Sequence, residues 1–245
     1  MIRRNSLLLV AIVINFLLPF SLHSSDERDI NSFLDKVAEK LEQLANNESH
    51  SVKVVTIVRE MDGNYKLKKL TKIEKIVTKK DSTRHIEIVR AVVTEKGKEK
   101  DITEKVRKKT KENDKNGNSG FKLTGKEFFP FSPEQRKKFN FSFAADTIIN
   151  GKPFKVLEVH AREMNEKLFN GIYYINPQDY SLIVARLSPS KNPKMVKKMN
   201  LNLRFDYLDD GRYVIRNFRM STFAKFLFKK YRFDINESYV KYQFF

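Results

Sequence analysis

The stretch from Phe139 to Pro193 restricts the possible folds more than any other part of the chain. Apolar residues recur through Phe139-Asn140-Phe141-Ser142-Phe143, Phe154 to His160, Leu168 to Ile175 and Leu182 to Arg186, alternating with polar ones most strictly in the first. Each ends at a turn signal, and alternation with period two marks a strand with one buried face. Asn150-Gly151 is the strongest hairpin signal, because both residue types tolerate the positive φ that a two-residue primed turn demands. Asn176-Pro177-Gln178-Asp179 makes the next turn, and Ser188 to Pro193 reads as a loop. The stretch is a meander of large antiparallel strands.

The same pattern continues on both sides. Val52 to Val58, Tyr65 to Val77 and Arg84 to Val93 are strand-like, with Asp62-Gly63 as a turn and Lys79 to Ser82 as a polar connection. Leu201, Leu203, Phe205 and Tyr207 alternate with polar partners, Asp210-Gly211 turns the chain into Tyr213 to Thr222, and Phe226 to Ile235 and Tyr239 to Phe245 close it. Between Asp26 and Ala45, Ile30, Phe33, Leu34, Val37, Leu41 and Leu44 fall at helical spacing behind Asp29 as N-cap. That predicts a helix packed on the sheet. Gly97 to Gly120 is dominated by Lys, Glu, Asp and Asn, and it is expected to be a charged mobile loop, because it has too little apolar surface to offset ordering, with a short helix around Ile102 and Val106 as the alternative. The clustered aromatics of Phe128-Phe129-Pro130-Phe131 predict a plug in the core, and Pro133 to Lys137 a single helical turn. The fold class is mainly β with helices, an α+β chain.

The ordered set Asn150-Gly151-Lys152-Pro153, Leu168-Phe169-Asn170-Gly171-Ile172-Tyr173-Tyr174-Ile175, Asp179-Tyr180-Ser181-Leu182 with Ala185, and Ser190-Lys191-Asn192-Pro193 resembles the outer-membrane lipoprotein-sorting (LolA/LolB-like) superfamily, in particular its uncharacterised periplasmic members. The resemblance spans roughly Phe128 to Tyr231. It implies a curved antiparallel half-barrel, closed by an N-terminal helix and short helical lid segments, whose apolar hollow receives acyl chains.

Met1 to Ser25 has the three parts of a secretory signal: Arg3 and Arg4, an apolar run from Leu7 to Phe20, then Ser24 and Ser25. The run falls short of the ~20 residues of a spanning helix, so a removable signal and a periplasmic location are expected, with an uncleaved, tethered form as the alternative because Leu22 and His23 make a poor cleavage site. Residues 26–245 then form a single domain. With no Cys, the chain has no disulfide, thiolate metal site, cysteine nucleophile or signal-peptide cysteine for lipid attachment. The core must hold itself together, and its material lies late: of 20 Phe and 9 Tyr, 17 and 8 follow residue 120. The net charge of +18 comes from Lys interleaved with Glu, with no nucleic-acid motif, which points to anionic lipid headgroups, envelope proteins or acidic glycans as partners and away from nucleic acid.

No G-x-S-x-G, dinucleotide fingerprint or paired carboxylates in an apolar setting occur, and His50, His85 and His160 are scattered without metal-ligand spacing. An enzyme is disfavoured, and no cofactor or metal is expected. A sheet face lined with alternating Phe, Leu, Ile and Val offers an apolar trough. By alternation its lining is Phe141, Phe143, Leu157, Val159, Tyr174, Leu182, Val184, Leu203 and Phe205, a set that a one-residue error would move to the other face. The expected function is a carrier or chaperone for lipid or lipoprotein acyl chains. The alternative is an envelope binding or scaffold domain that recognises a protein or acidic glycan through its basic surface.

Overall fold

The computed structural model describes residues 23–44, 48–81, 83–115, 128–227 and 229–245. The signal-like segment through Leu22 lies outside them. A helix, α1 (His23–Glu42), precedes the hairpin strands β1 (His50–Asp62), β2 (Leu67–Lys80), β3 (Thr83–Glu95) and β4 (Lys98–Asp101). Two further helices follow, α2 (Thr103–Lys115) and the single turn α3 (Pro133–Arg136). The chain then runs through β5 (Phe139–Ile149), β6 (Lys152–Ala161), β7 (Phe169–Ile175), β8 (Leu182–Pro189), β9 (Val196–Tyr207), β10 (Tyr213–Phe226) and β11 (Lys229–Phe244).

All eleven strands form one antiparallel sheet in the order β4-β3-β2-β1-β11-β10-β9-β8-β7-β6-β5. The sheet is curled and open, with β4 and β5 at its two edges. Its architecture is mainly β with helices against one face, as the alternation predicts. Asn150 and Gly151 take φ of +51° and +76°, the paired left-handed conformation of a primed two-residue turn, and they join β5 to β6.

Two differences from the sequence reading have physical causes. Where a mobile loop is expected over 97–120, Lys98–Asp101 pairs with β3 and Thr103–Lys115 is helical, while 116–120 lies outside the described residues. Thr103 anchors that helix by donating from Oγ1 to the Ala91 carbonyl and accepting from its N–H, and Arg107 Nε donates to the Ile88 carbonyl at 2.9 Å. Tertiary hydrogen bonds, which composition does not reveal, supply the missing stabilisation. The last two expected strands are one: β11 passes through 235–239 without a break and spans the full length of β1.

The main core lies between α1 and the β5–β10 part of the sheet. Leu34 and Val37 of α1 are sealed, as are Phe131, Phe139, Leu157, Tyr173, Ile175 and Leu203. The aromatic segment before α3 is the plug that its composition predicts. Phe131 meets Tyr173 edge-on at 5.0 Å, Phe128 meets Phe169 at 4.8 Å, and the Tyr173 hydroxyl donates to the Phe128 carbonyl at 2.8 Å. A smaller cluster of Val52, Val54 and Val77 sits on β1 and β2, toward the β4 edge.

Candidate functional site on the helix-covered face

Strand register assigns every side chain to one of two faces. Leu157, Tyr173, Ala185, Leu203 and Phe218 are cross-strand partners in sequence from β6 to β10, so they share the face that α1 covers. On it stand seven of the nine residues that alternation selects. Leu157, Val159, Leu182, Leu203 and Phe205 are sealed by packing, with exposures of 3% or less. Phe141, opposite Val159, is half-buried, and Phe143, opposite Leu157, is 45% exposed with Phe33 of α1 edge-on to it at 5.2 Å.

Tyr174 and Val184 stand on the opposite face, paired with each other and flanked by Val156 and Arg204. Tyr174 alternates with the inward Tyr173 along β7, and for Val184 the cause is a β-bulge: Tyr174 pairs with Val184 but Ile175 pairs with Leu182, so Ile183 is an extra residue. Across such an insertion period two fails, and Leu182 and Val184 part company. Of the adjacent tyrosines it is Tyr173 that points into the core. Tyr174 lies outside beneath the Arg186 guanidinium, 5.0 Å from its ring.

The part of the covered face that is not sealed lies further along, on β9, β10, β11, β1 and β2. Leu201, Met220, Ile235, Val58 and Thr71 form one row across the sheet, and Met199, Thr222 and Phe233 form the next. Met199, Met220, Phe233, Ile235, Val58 and, on β2, Ile73 are all half-buried. They make an apolar floor beside the main core, with the Thr56–Glu237 row between it and the Val52-Val54-Val77 cluster. Sequence reasoning missed it because Val55 and Ile57 are apolar too, so alternation in β1 does not name a face.

A charged group closes one side of this floor. Glu237 accepts from Lys75 Nζ at 2.6 Å, from Thr56 Oγ1 at 2.9 Å and from the Tyr239 hydroxyl at 3.1 Å, with the Lys75 and Glu237 side chains each 17% exposed. Burial alone pushes the Glu237 carboxyl up, but the Lys75 charge and these three donors outweigh it and hold it below the ordinary glutamate value. The Tyr239 hydroxyl is raised, first by burial and then by the Glu237 charge. Both groups keep their neutral-pH forms.

The other face is polar. A groove of about 630 Å³ runs across β6 to β10 there, lined among others by His160, Asn170, Arg186, Asn202, Arg219 and Ser221. Arg219 is also paired with Asp234 at 3.2 Å, and His160 lies 3.9 Å from Glu158. His50, by contrast, is buried beside Tyr242 and Phe244, and burial lowers its pKa. Among the described residues, no three His, Asp or Glu side chains converge on a metal-sized site.

No model of a known protein family matches the chain, and no curated protein does. Solved structures do. The chain is similar to a domain assigned to outer membrane lipoprotein-sorting proteins, from Vibrio parahaemolyticus, at 11% identity over 86% of this chain and 91% of that one, with a TM-score of 0.40. It is similar to a LolA superfamily protein from Nitrosomonas europaea at 11% identity, 86% and 93% coverage and a TM-score of 0.35. A DUF1329 family protein from Desulfovibrio piger gives 11%, 87%, 92% and 0.39. No site residue is transferred from these structures.

Proposed function

We propose that the chain is a non-enzymatic envelope carrier or chaperone that holds acyl chains of lipid or lipoprotein against the helix-covered face. The observation that carries this reading is the half-buried apolar patch of Met199, Met220, Ile235, Val58, Ile73 and Phe233 beside the main core. Each CH₂ laid on such a floor gains roughly 0.8 kcal/mol, and flexible methionines accommodate chains of differing length. Phe141 and Phe143, beside α1 on the edge strand β5, stand apart from this floor across the sealed core, and Leu157, Val159, Leu182, Leu203 and Phe205 would meet a guest only if α1 lifted. The signal-like residues 1–25 support a periplasmic setting for this work.

The test is a lipid inventory of the protein purified from its own envelope, with saturable binding of a fluorescent fatty-acid probe to the delipidated protein. Met220→Asp should weaken the probe by about tenfold, since a desolvated charge on the floor opposes an apolar guest. Absence of co-purified lipid together with absence of saturable probe binding would end the proposal. The outer-face groove supports a second reading, recognition of an acidic glycan by Arg186 and Arg219, which loss of glycan retention in the Arg186→Ala variant would support.

A further inference from the structure

At one end of the sheet the β1–β2, β8–β9 and β10–β11 connections gather apolar side chains that the core does not use. Tyr65, Leu67, Met195, Phe226, Leu227 and Tyr231 are between 38% and 73% exposed, and they are six of the thirteen large hydrophobic residues exposed among the described residues. The three tips are contiguous. Asp62 pairs with Tyr231 across β1 and β11, and the Lys225 N–H donates to the Met195 carbonyl at 3.0 Å. Arg232 lies between them, its guanidinium 3.8 Å from the Tyr65 ring and 4.4 Å from the Phe223 ring, with Nε donating to the Gly63 carbonyl at 3.4 Å. The Gly63 backbone comes so near β11 that a Cβ there would lie 2.9 Å from the Lys230 Cβ.

Leu227 adds an independent sign. Only two residues separate the paired Phe226 and Lys229, and a turn that short ordinarily takes Asn-Gly. Leu227 occupies it at φ +52°, a costly conformation for leucine, and points 73% exposed into solvent. Around these tips, residues 62–68, 191–198 and 225–232 contain ten Lys or Arg and a single carboxylate, Asp62, which is 3.1 Å from Lys68. A solvated charge run has no use for the apolar tips, and a protein interface is depleted in lysine. An anionic bilayer suits both, because apolar side chains enter the acyl boundary while lysine stems snorkel to the phosphates.

We propose that this three-turn tip docks the protein on an anionic lipid bilayer, with Phe226, Leu227 and Met195 inserted and Lys194, Lys225, Lys229 and Lys230 against the headgroups. The proposal stands on a different surface from the acyl floor and does not require it. It is tested by flotation of the protein, in the form that export leaves, with vesicles of phosphatidylcholine alone or mixed with phosphatidylglycerol. Wild type should float with the mixed vesicles only and be released by high salt. Phe226→Ser/Leu227→Ser and Lys225→Glu/Lys229→Glu/Lys230→Glu should each lower flotation by about tenfold or more, with thermal melting and fatty-acid probe binding unchanged. Equal flotation with both vesicle types would overturn the proposal. So would loss in the lysine variant with wild-type flotation of the Phe226/Leu227 variant, since that describes a general polyanion patch. If the wild type floats as expected but binds no probe, the acyl proposal falls and this one stands.

Discussion

Gly171 sits in β7 where no side chain fits. A Cβ there would lie 2.6 Å from Tyr173 Cε2 and 2.7 Å from Leu187 Cδ2, both within the sealed core. Tyr173 folds its ring over the glycine two residues back on the same face, and so fills the space that the glycine leaves. Gly171→Ala should therefore cost about 2 kcal/mol by overpacking, read as a lower urea midpoint with an unchanged slope. An unshifted midpoint would contradict this packing. At this scale the sequence was informative about type more than direction. It marked Leu157, Val159, Leu203 and Phe205 as apolar and inward, but it chose Tyr174 over Tyr173 and placed Val184 with Leu182. Nothing in Leu182-Ile183-Val184 announces that Ile183 is a bulge, because all three residues are β-branched or aliphatic and suit either face.

Among the elements, β1, β2 and β11 are bound by charge as well as by the ladder. Lys75, Glu237, Thr56 and Tyr239 form a connected, mostly buried polar group inside an apolar face. Such a group is costly to break and of little net value when intact. Lys75→Met alone should lose about 3 kcal/mol, because Glu237 is left buried without its counter-charge. Lys75→Met/Glu237→Leu should recover most of that loss, and a double-mutant cycle by chemical denaturation measures the coupling. Additive losses would mean that the two residues act separately. The elements themselves were largely legible, since strand alternation and the 3.6-residue spacing in α1 depend only on local order. The helix α2 was legible only as the alternative to a loop around Ile102 and Val106, because its stability comes from hydrogen bonds to β3 that composition does not reveal.

For the whole molecule, carboxylates decide behaviour in acid. Asp62 is held below its ordinary pKa by Lys68, Glu74 by Lys53 and Asp101 by the Thr103 N–H, while Glu237 and Asp179 are lowered by their donors against the opposing effect of burial. A carboxyl whose folded pKa is depressed contributes stability that is fully present above its unfolded pKa and lost as pH falls through the folded one. With a net charge of +18 at pH 7, protonation also removes the only charges that offset self-repulsion. Stability should be level above pH ~7, ease downward below pH ~6.5 as the buried His50 resists the proton that the unfolded chain accepts, and fall steeply below pH ~4, with salt softening the fall. A melting temperature that rises on acidification would refute it.

The strand order gives the last sixteen-residue strand a singular position. Four strands made early stand on one side of β11 and six made later on the other, and β1 meets the late group only through it. During synthesis the early hairpins therefore wait, with one long edge unmatched, until β11 has emerged. Long-range pairing of this kind is slow and leaves the chain in an open, threadable state. Completion of the sheet is thereby timed by β11, the strand through which its two halves meet.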